Sequence, residues 1–345
     1  MALALRTPLC RDLGMEYPIL SAGIGSAAGP ELVSAVSNAG GFGVLGVSGM
    51  QPDGVRRVIE RTRELTDRPF GVNVIIDEAG WATTEDDRQL LRDEVAAAAD
   101  ERIGAVVLFW GDPAPYVDVV HDRGVKLLVQ VGSVEEAEAA AAAGADAVLV
   151  QGVEAGGHVK GTTPIWDLVR GAVDAIGPTP VVASGGIGDG EGLARALGLG
   201  AQGVSLGTRF VASDEADLHP GYKQRVVDAH AEDTVLNELY DVWWPRAPAR
   251  TLRNKTLAEW EAAGCPPPGR RPGEGTSIGK LHTSTGKQFD WPRYAGAGTP
   301  KPDFEGDLDY APLWAGESVS VVNDILPAGE IVRRLARDAE AALAE

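Results

Sequence analysis

The residues best placed to do chemistry are Gln151-Gly152-Val153-Glu154-Ala155-Gly156-Gly157-His158, a glycine-rich turn ending in a histidine directly after the apolar run Ala147-Val148-Leu149-Val150. Backbone without side chains lets another group approach closely. A histidine at the rim of that gap can move a proton near neutral pH. Two further glycine turns, Ser184-Gly185-Gly186-Ile187-Gly188 and Leu206-Gly207-Thr208-Arg209, each follow a run of strand-forming residues. Free backbone N–H groups at helix entrances are phosphate receptors, so these two turns predict a phosphorylated cofactor whose reactive part lies near His158. The other histidines, His121, His219, His230 and His282, show no metal-ligand spacing, and no metal is expected.

Something must hold three such turns side by side. From residue 17 to about 211 short β-like runs alternate with helical stretches, the pattern of βα units around a parallel sheet. The runs fall at 18–22, 43–46, 71–75, 105–109, 126–131, 147–150, 181–184 and 203–206, with helical segments at 31–38, 53–65, 86–99, 134–142, 165–175 and 190–197. Eight strands of this kind predict an α/β fold, the TIM (β/α)8 barrel, with His158 at the C-terminal end of strand six and the phosphate turns after strands seven and eight. Three helix-to-strand connections, Ala39-Gly40-Gly41-Phe42-Gly43-Val44, Ala143-Gly144-Ala145-Asp146-Ala147-Val148 and Leu199-Gly200-Ala201-Gln202-Gly203-Val204, echo one another and support the repeat.

After residue 213 the chain is rich in Pro, Gly and Trp and loses regular alternation, with helical stretches only near 221–230 and 257–263. Apolar residues return at helical spacing over 328–343. The expected organisation is a cofactor-binding barrel over 1–212, an irregular extension over 213–318 that covers the barrel mouth, and a closing helical segment over 319–345.

The 345 residues allow one large barrel with additions. A formal net charge of −19 argues against nucleic acid and anionic membranes, which reward basic surfaces. Small-molecule chemistry is the better expectation. Cys10 and Cys265 are too few and too far apart for a disulfide framework, which fits a reducing cytoplasm. The uncharged run 32–52 is broken by glycines, serines and Asn38, so no membrane span is expected, and the N-terminus lacks a signal-peptide core.

Asn73, in Phe70-Gly71-Val72-Asn73, is polar where a strand wants an apolar residue, and inside a barrel it needs partners. Gln130 and Gln151 end apolar strands and can both donate and accept hydrogen bonds, as the edge of a flavin requires. Together with Pro18-Ile19-Leu20-Ser21-Ala22-Gly23, Gly40-Gly41-Phe42-Gly43, Glu154-Ala155-Gly156-Gly157-His158, Ala183-Ser184-Gly185-Gly186-Ile187 and Leu206-Gly207-Thr208-Arg209-Phe210, this segment resembles the nitronate monooxygenases over about residues 6–230 and the closing helix. The resemblance implies FMN as cofactor and His158 as the catalytic histidine. It places Ala22, Gly23 and Asn73 along the flavin, Gln130 and Gln151 at its polar edge, Gly156 nearby, and Ser184, Gly185, Gly186, Gly207 and Thr208 at the phosphate. Many relatives carry lysine or another polar residue where this chain has Gln130.

The resulting expectation is an FMN-dependent oxidation of small alkyl nitronates or nitroalkanes by O2, giving a carbonyl compound and nitrite. His158 acts either as base toward a neutral nitroalkane or as hydrogen-bonding partner of the nitro group. Gly157, Trp110 and an aromatic from the extension wall the substrate pocket. The partners expected are a small-molecule substrate and O2, with a homodimer as candidate assembly. One alternative is flavin-dependent enoyl-acyl carrier protein reductase or another NAD(P)H-dependent flavin reductase, which shares the Gly-Gly-His signature. Another is a non-catalytic barrel that binds a phosphorylated metabolite. A dehydrogenase of the inosine monophosphate type is excluded, because no cysteine follows strand six.

Overall fold

Strands apolar on both faces must be covered on both, and this requirement sets the architecture. In the computed structural model, which describes residues 5–77, 80, 82–282 and 288–344, the first nine strands are β1 (Ile19–Ser21), β2 (Val44–Gly46), β3 (Gly71–Ile75), β4 (Ala105–Phe109), β5 (Lys126–Val131), β6 (Ala147–Gln151), β7 (Gly157–His158), β8 (Val181–Ser184) and β9 (Gly203–Leu206). All but β7 form one parallel eight-stranded sheet in the order β1-β9-β8-β6-β5-β4-β3-β2. A parallel bridge from Leu20 to Phe42 joins its edges. The sheet is the predicted TIM barrel. Residues 1–4 of the expected barrel unit and residue 345 of the expected closing segment lie outside the described residues.

Side chains alternate across a strand. Leu20, Val107, Leu128, Leu149 and Val182 cluster inside the barrel, whereas Val72, Val106, Leu127, Val129, Val148 and Val181 belong to the layer under the helices. The same alternation turns Asn73, Gln130, Gln151 and Ser184 inward, near the C-terminal ends of their strands. The opposite end is plugged by the helix Pro8–Leu13, whose Leu9, Cys10 and Leu13 join the inner cluster. Gln202 holds it: Thr7 Oγ1 donates to the Gln202 carbonyl (2.7 Å) and the Leu9 N–H to its Oε1 (3.0 Å). No element is predicted there from sequence, because six residues carry less than two turns of periodicity.

The chain leaves the barrel at Ser213 and returns at Leu326, and these two residues form a parallel bridge. The helix Ala328–Ala342 then packs against the helices Gly190–Gly198 and Pro30–Asn38. Between those points the two expected helical stretches are present as Pro220–Asp228 and Lys255–Ala262. The rest is not irregular. β10 (Thr234–Asn237) and β11 (Ala249–Leu252) make an antiparallel sheet with β7, and β12 (Ser277–His282), β13 (Gln288–Pro292) and β14 (Glu305–Gly306) make another. Strands of two to six residues, with a register shift between Ser277 and Gly279, leave no clean period-two run in the sequence. Among the described residues no helix is long and apolar enough to cross a membrane.

One buried group works against this fold. Glu94, on the helix Glu85–Asp100, is fully buried, and among the described residues neither carboxylate oxygen has a hydrogen-bond partner. Burial pushes its pKa up to about 8; the facing amides of Gly49 and Met50 pull only partly the other way. The Met50 N–H is already spent on the Val47 carbonyl (2.9 Å). A carboxyl whose pKa is higher folded than unfolded costs nothing below its unfolded pKa, and its penalty grows as pH rises to the folded value. Glu94→Gln is therefore nearly neutral near pH 4 and stabilising near pH 8, by an amount on the order of 2–5 kcal/mol. Thermal melts at the two pH values check this: an equal shift at both refutes it.

Candidate active site

The loops that follow the barrel strands enclose a hollow at the C-terminal face of the barrel. It is a cavity of about 550 Å³. Its wall includes Ala22, Gly23, Asn73, Gln130, Gln151, Gly156, Gly157, His158, Ser184, Gly185, Gly186, Gly207 and Thr208, so the barrel brings these expected residues to one place. Trp110 is not on the wall. It stands behind, edge-on to His158 (ring centroids 6.1 Å apart) and to Trp244 (5.3 Å). Among the described residues that line the cavity there is no Lys, Arg, Asp or Glu.

The turn that carries His158 is held by the chain itself. Gln151 uses both ends of its amide on this segment: Nε2 donates to the His158 carbonyl (3.0 Å) and Oε1 accepts the Lys160 N–H (3.2 Å). Its first task is thus to position backbone, which the sequence reading had not foreseen. β7 pairs with β11, Gly157 opposite Arg250 and His158 opposite Ala249. Arg250, buried, donates from Nη2 to the Val153 carbonyl (2.9 Å) and pairs with Glu317 (3.0 Å). Glu154 caps the helix Ile165–Ile176 by accepting the Ile165 N–H, and burial raises its pKa. The close approach expected at Gly156 is real, but the approaching group belongs to this chain: a Cβ there would lie 2.3 Å from the Gly316 nitrogen.

His158 is stacked on indoles from the extension. Its ring centroid is 3.8 Å from that of Trp244 and 5.4 Å from that of Trp314. The residue lines the cavity, yet Nε2 is buried and, among the described residues, has no hydrogen-bond partner. Burial pushes its pKa down to about 3, so the imidazole is neutral at ordinary pH.

The family model for nitronate monooxygenases matches residues 6–338. The chain belongs to the nitronate monooxygenase family. It is 31% identical to a nitronate monooxygenase of Paraburkholderia phytofirmans over 94% of this chain and 93% of that one. It is 34% identical to (3aS,4S,5R,7aS)-5-hydroxy-7a-methyl-1-oxo-octahydro-1H-indene-4-carboxyl-CoA dehydrogenase of Mycobacterium tuberculosis, over 75% of this chain and 70% of the relative. The structure of nitroalkane oxidase from Streptomyces ansochromogenes superposes with a TM-score of 0.76 at 28% identity, covering 98% of this chain and 99% of that one. As a member of the nitronate monooxygenase family the protein is a flavin-dependent oxidoreductase.

Its glycine turns fit a phosphorylated flavin. Gly185 and Gly186 adopt the left-handed conformation (φ 93° and 71°), and among the described residues their N–H groups and that of Gly207 have no partner. Two details differ from expectation. Asp189 caps the helix Gly190–Gly198 by accepting the Gly192 N–H (2.8 Å), so that helix terminus is already engaged. The helix after β9, Thr208–Val211, is a single turn, and Thr208 Oγ1 accepts the Gly316 N–H (3.0 Å). The unengaged donors are turn amides. Asn73 donates to the Val107 carbonyl (3.2 Å) and packs so tightly on Gly23 that a Cβ there would lie 2.5 Å from its own Cβ. Gln130 has no partner among the described residues and lines the cavity.

Sequence reasoning expected one aromatic from the extension without naming it, and missed its anchor. Trp244 is that aromatic, fixed by an Nε1–H bond to Asp77 Oδ2 (2.6 Å) just beyond β3. Trp243, 46% exposed, lines the mouth beside Phe289 (ring centroids 6.0 Å). The adjacent tryptophans were the available signal, but nothing local says that they reach back across the barrel to Asp77. The contact between Gly156 and Gly316 gives a direct test. Overpacking typically costs about 1–3 kcal/mol; Gly156→Ala and Gly316→Ala should each lose that much in denaturant unfolding. Because they spoil one contact, the double variant should lose less than the sum; full additivity would refute the shared contact.

Proposed function

We propose that the protein holds FMN in this cavity and oxidises small alkyl nitronates with O2 to a carbonyl compound and nitrite. The observation that carries the reading is the wall itself: an uncharged, largely apolar surface with one neutral histidine stacked on tryptophans. A nitronate brings one diffuse negative charge and a short apolar tail; the tail suits such a wall, and the single charge asks for hydrogen-bond donors rather than for a cluster of cations. A nicotinamide dinucleotide or a coenzyme A ester brings several phosphates, and the wall offers them no lysine or arginine. The relatedness to a CoA-ester dehydrogenase keeps that second reading in view. The resident phosphate is served instead by the turn amides at Gly185, Gly186 and Gly207.

When bound, the flavin supplies an electron acceptor for the nitronate and a site of reaction with O2. The chain's own residues bind and orient. Asn73 and Gln130 would contact the flavin, Gln151 holds the backbone of His158, and the indoles of Trp244 and Trp314 exclude water from the histidine ring. Taking up a proton on a group with pKa near 3 costs roughly 5 kcal/mol at pH 7. His158 therefore serves better as a neutral hydrogen-bonding partner of an already anionic nitronate than as a base toward a neutral nitroalkane.

Four measurements test this. Purified protein should release FMN on extraction, consume O2 and produce nitrite from propyl-1-nitronate without NAD(P)H; rapid bleaching by NADPH but not by nitronate would assign it to the reductases. For kcat/KM on preformed nitronate, His158 should give no inflection between pH 5 and 8, since free-enzyme pKa values govern that profile. His158→Ala should lower activity on nitronate by about tenfold to a hundredfold, the scale of a hydrogen bond to an anion. An unchanged rate on nitronate, with a large loss on neutral nitroalkane alone, would return the base role to His158. Gly186→Val should reduce flavin occupancy, because a branched side chain is strained at φ 71° and its Cβ would sit 3.1 Å from that of Glu154.

A further inference from the structure

An exposed apolar side chain standing alone needs no explanation, but a pair of neighbours at the opening of a cavity does. Among the described residues the exposed large apolar side chains are Trp243, Phe289, Val321 and Leu343, and the first two are neighbours, with ring centroids 6.0 Å apart. Trp243 is 46% exposed and also lines the cavity, so it stands where the cavity meets solvent. Phe289 carries the apolar surface outward from it.

The backbone at Trp243 is held against its own preference. Its φ is 74°, in the left-handed region that a bulky side chain avoids. Both neighbours in the chain are fixed: the Val242 N–H donates to the Tyr294 carbonyl (3.0 Å) and the Val242 carbonyl accepts the Gly296 N–H (2.8 Å), while Trp244 is tied to Asp77 and stacked on His158. A conformation this costly persists only where the surroundings impose it, and such residues cluster at functional sites. Here it gives two consecutive indoles different places. Trp244 is buried against the histidine and Trp243 stands at the opening, so aromatic surface runs from the reactive end of the cavity to its edge.

Continuity with the cavity sets what covers that edge. The residues that fit the flavin (Asn73, Gln130, Ser184 to Gly186, Gly207) come from barrel strands and turns, whereas Trp243 belongs to the extension that carries Trp244. A substrate whose head lies beside His158 has its tail against Trp244, and a tail long enough to pass that ring meets Trp243. Among the described residues of the wall no side chain is charged. An apolar tail is what such a wall rewards.

We propose that Trp243, with Phe289 beside it, is a specificity-determining subsite for the apolar tail of the substrate, and that the enzyme favours nitronates long enough to extend from the histidine to the cavity edge. The inference rests on the nitronate reading above and deepens it by naming the tail. The shortest nitronates leave this subsite empty.

The test follows turnover of linear primary nitronates from ethyl to hexyl, and calorimetric binding of propionate and heptanoate, non-reacting carboxylates with matching tails, to the FMN-loaded enzyme. Each methylene that leaves water is worth about threefold to fourfold in binding. In the wild type, kcat/KM should therefore rise at least about tenfold from ethyl to hexyl nitronate, and heptanoate should bind at least about tenfold more tightly than propionate. Trp243→Gly suits the left-handed backbone and removes the indole. Its loss should grow with tail length, from within about twofold for ethyl nitronate to about tenfold for hexyl nitronate and heptanoate. Trp243→Phe, which keeps an apolar ring, should retain most of both gradients, and flavin content should be the same in all three proteins. A wild type in which heptanoate binds no more tightly than propionate overturns the proposal, as does a Trp243→Gly loss that is equal at every tail length. A Trp243→Gly protein that keeps both gradients but changes from dimer to monomer in light scattering assigns the pair to contact between copies and overturns it too. The nitronate reading fails separately: the Trp243 pattern with the carboxylates, and no turnover of any nitronate, keeps the subsite and loses the activity.

Discussion

Two backbones touch at Gly156 and Gly316, and the placement of His158 depends on that contact. A Cβ on either glycine would fall within 2.6 Å of the other segment, so only glycine lets the barrel loop and the returning chain lie this close. From that contact the Glu317 N–H reaches the Glu154 carbonyl (2.9 Å), the Gly316 N–H reaches Thr208 Oγ1, and Glu317 meets Arg250. Arg250 in turn bonds Val153, and its strand pairs with Gly157 and His158. The histidine is therefore not a side chain on a free loop. It sits on a short strand whose partner strand lies almost a hundred residues away in the chain.

That arrangement explains how a neutral, poorly solvated imidazole can be kept. Desolvation would normally be offset by a hydrogen bond to Nε2, but here it is offset by stacking on Trp244 and by the fixed backbone. Trp244 needs its own anchor, and Asp77 supplies one from the far side of the barrel. Among the described residues, charged side chains stay off the cavity wall. Buried cations such as Arg250, Arg271 and Arg209 are each paired with a carboxylate outside it. A chain with a formal charge of −19 would otherwise repel an anionic substrate, and an uncharged wall lets short-range donors decide what is held.

The barrel was legible because its signals are local. Asn73 stood out as a polar residue within an apolar strand, Gln130 and Gln151 as polar ends of such strands, and all three line the cavity. The glycine turns were legible as turns, but the reason for Gly156 was not, since a close approach looks the same in sequence whether the visitor is a cofactor or the chain itself. Gln151 is similar: its position could be read, but its bonds to His158 and Lys160 depend on where the turn folds back. Trp110 was placed on the wall from its position after β4, yet its left-handed backbone (φ 73°) aims the ring behind His158. The extension was hardest, because its strands are short and its polar core relies on pairs such as Arg271 with Asp241, thirty residues apart.

The division of labour between the two parts has a consequence for how the site comes into being. The barrel alone can form the turn amides, the inward amides of Asn73 and Gln130, and the floor sealed by Leu9 and Leu13. It cannot form the ring stack on His158, the partner strand of β7 or the wall at Thr299, all of which come from the segment between Ser213 and Leu326. Those two residues pair at the barrel rim, so the extension is clamped at both ends and its last helix completes the outer layer beside Gly190. Gly190 has no room for a Cβ there, which would lie 2.6 Å from the Ala339 nitrogen. The segment that places His158 and the helix that closes the outer layer thus follow one another in one continuous stretch of chain.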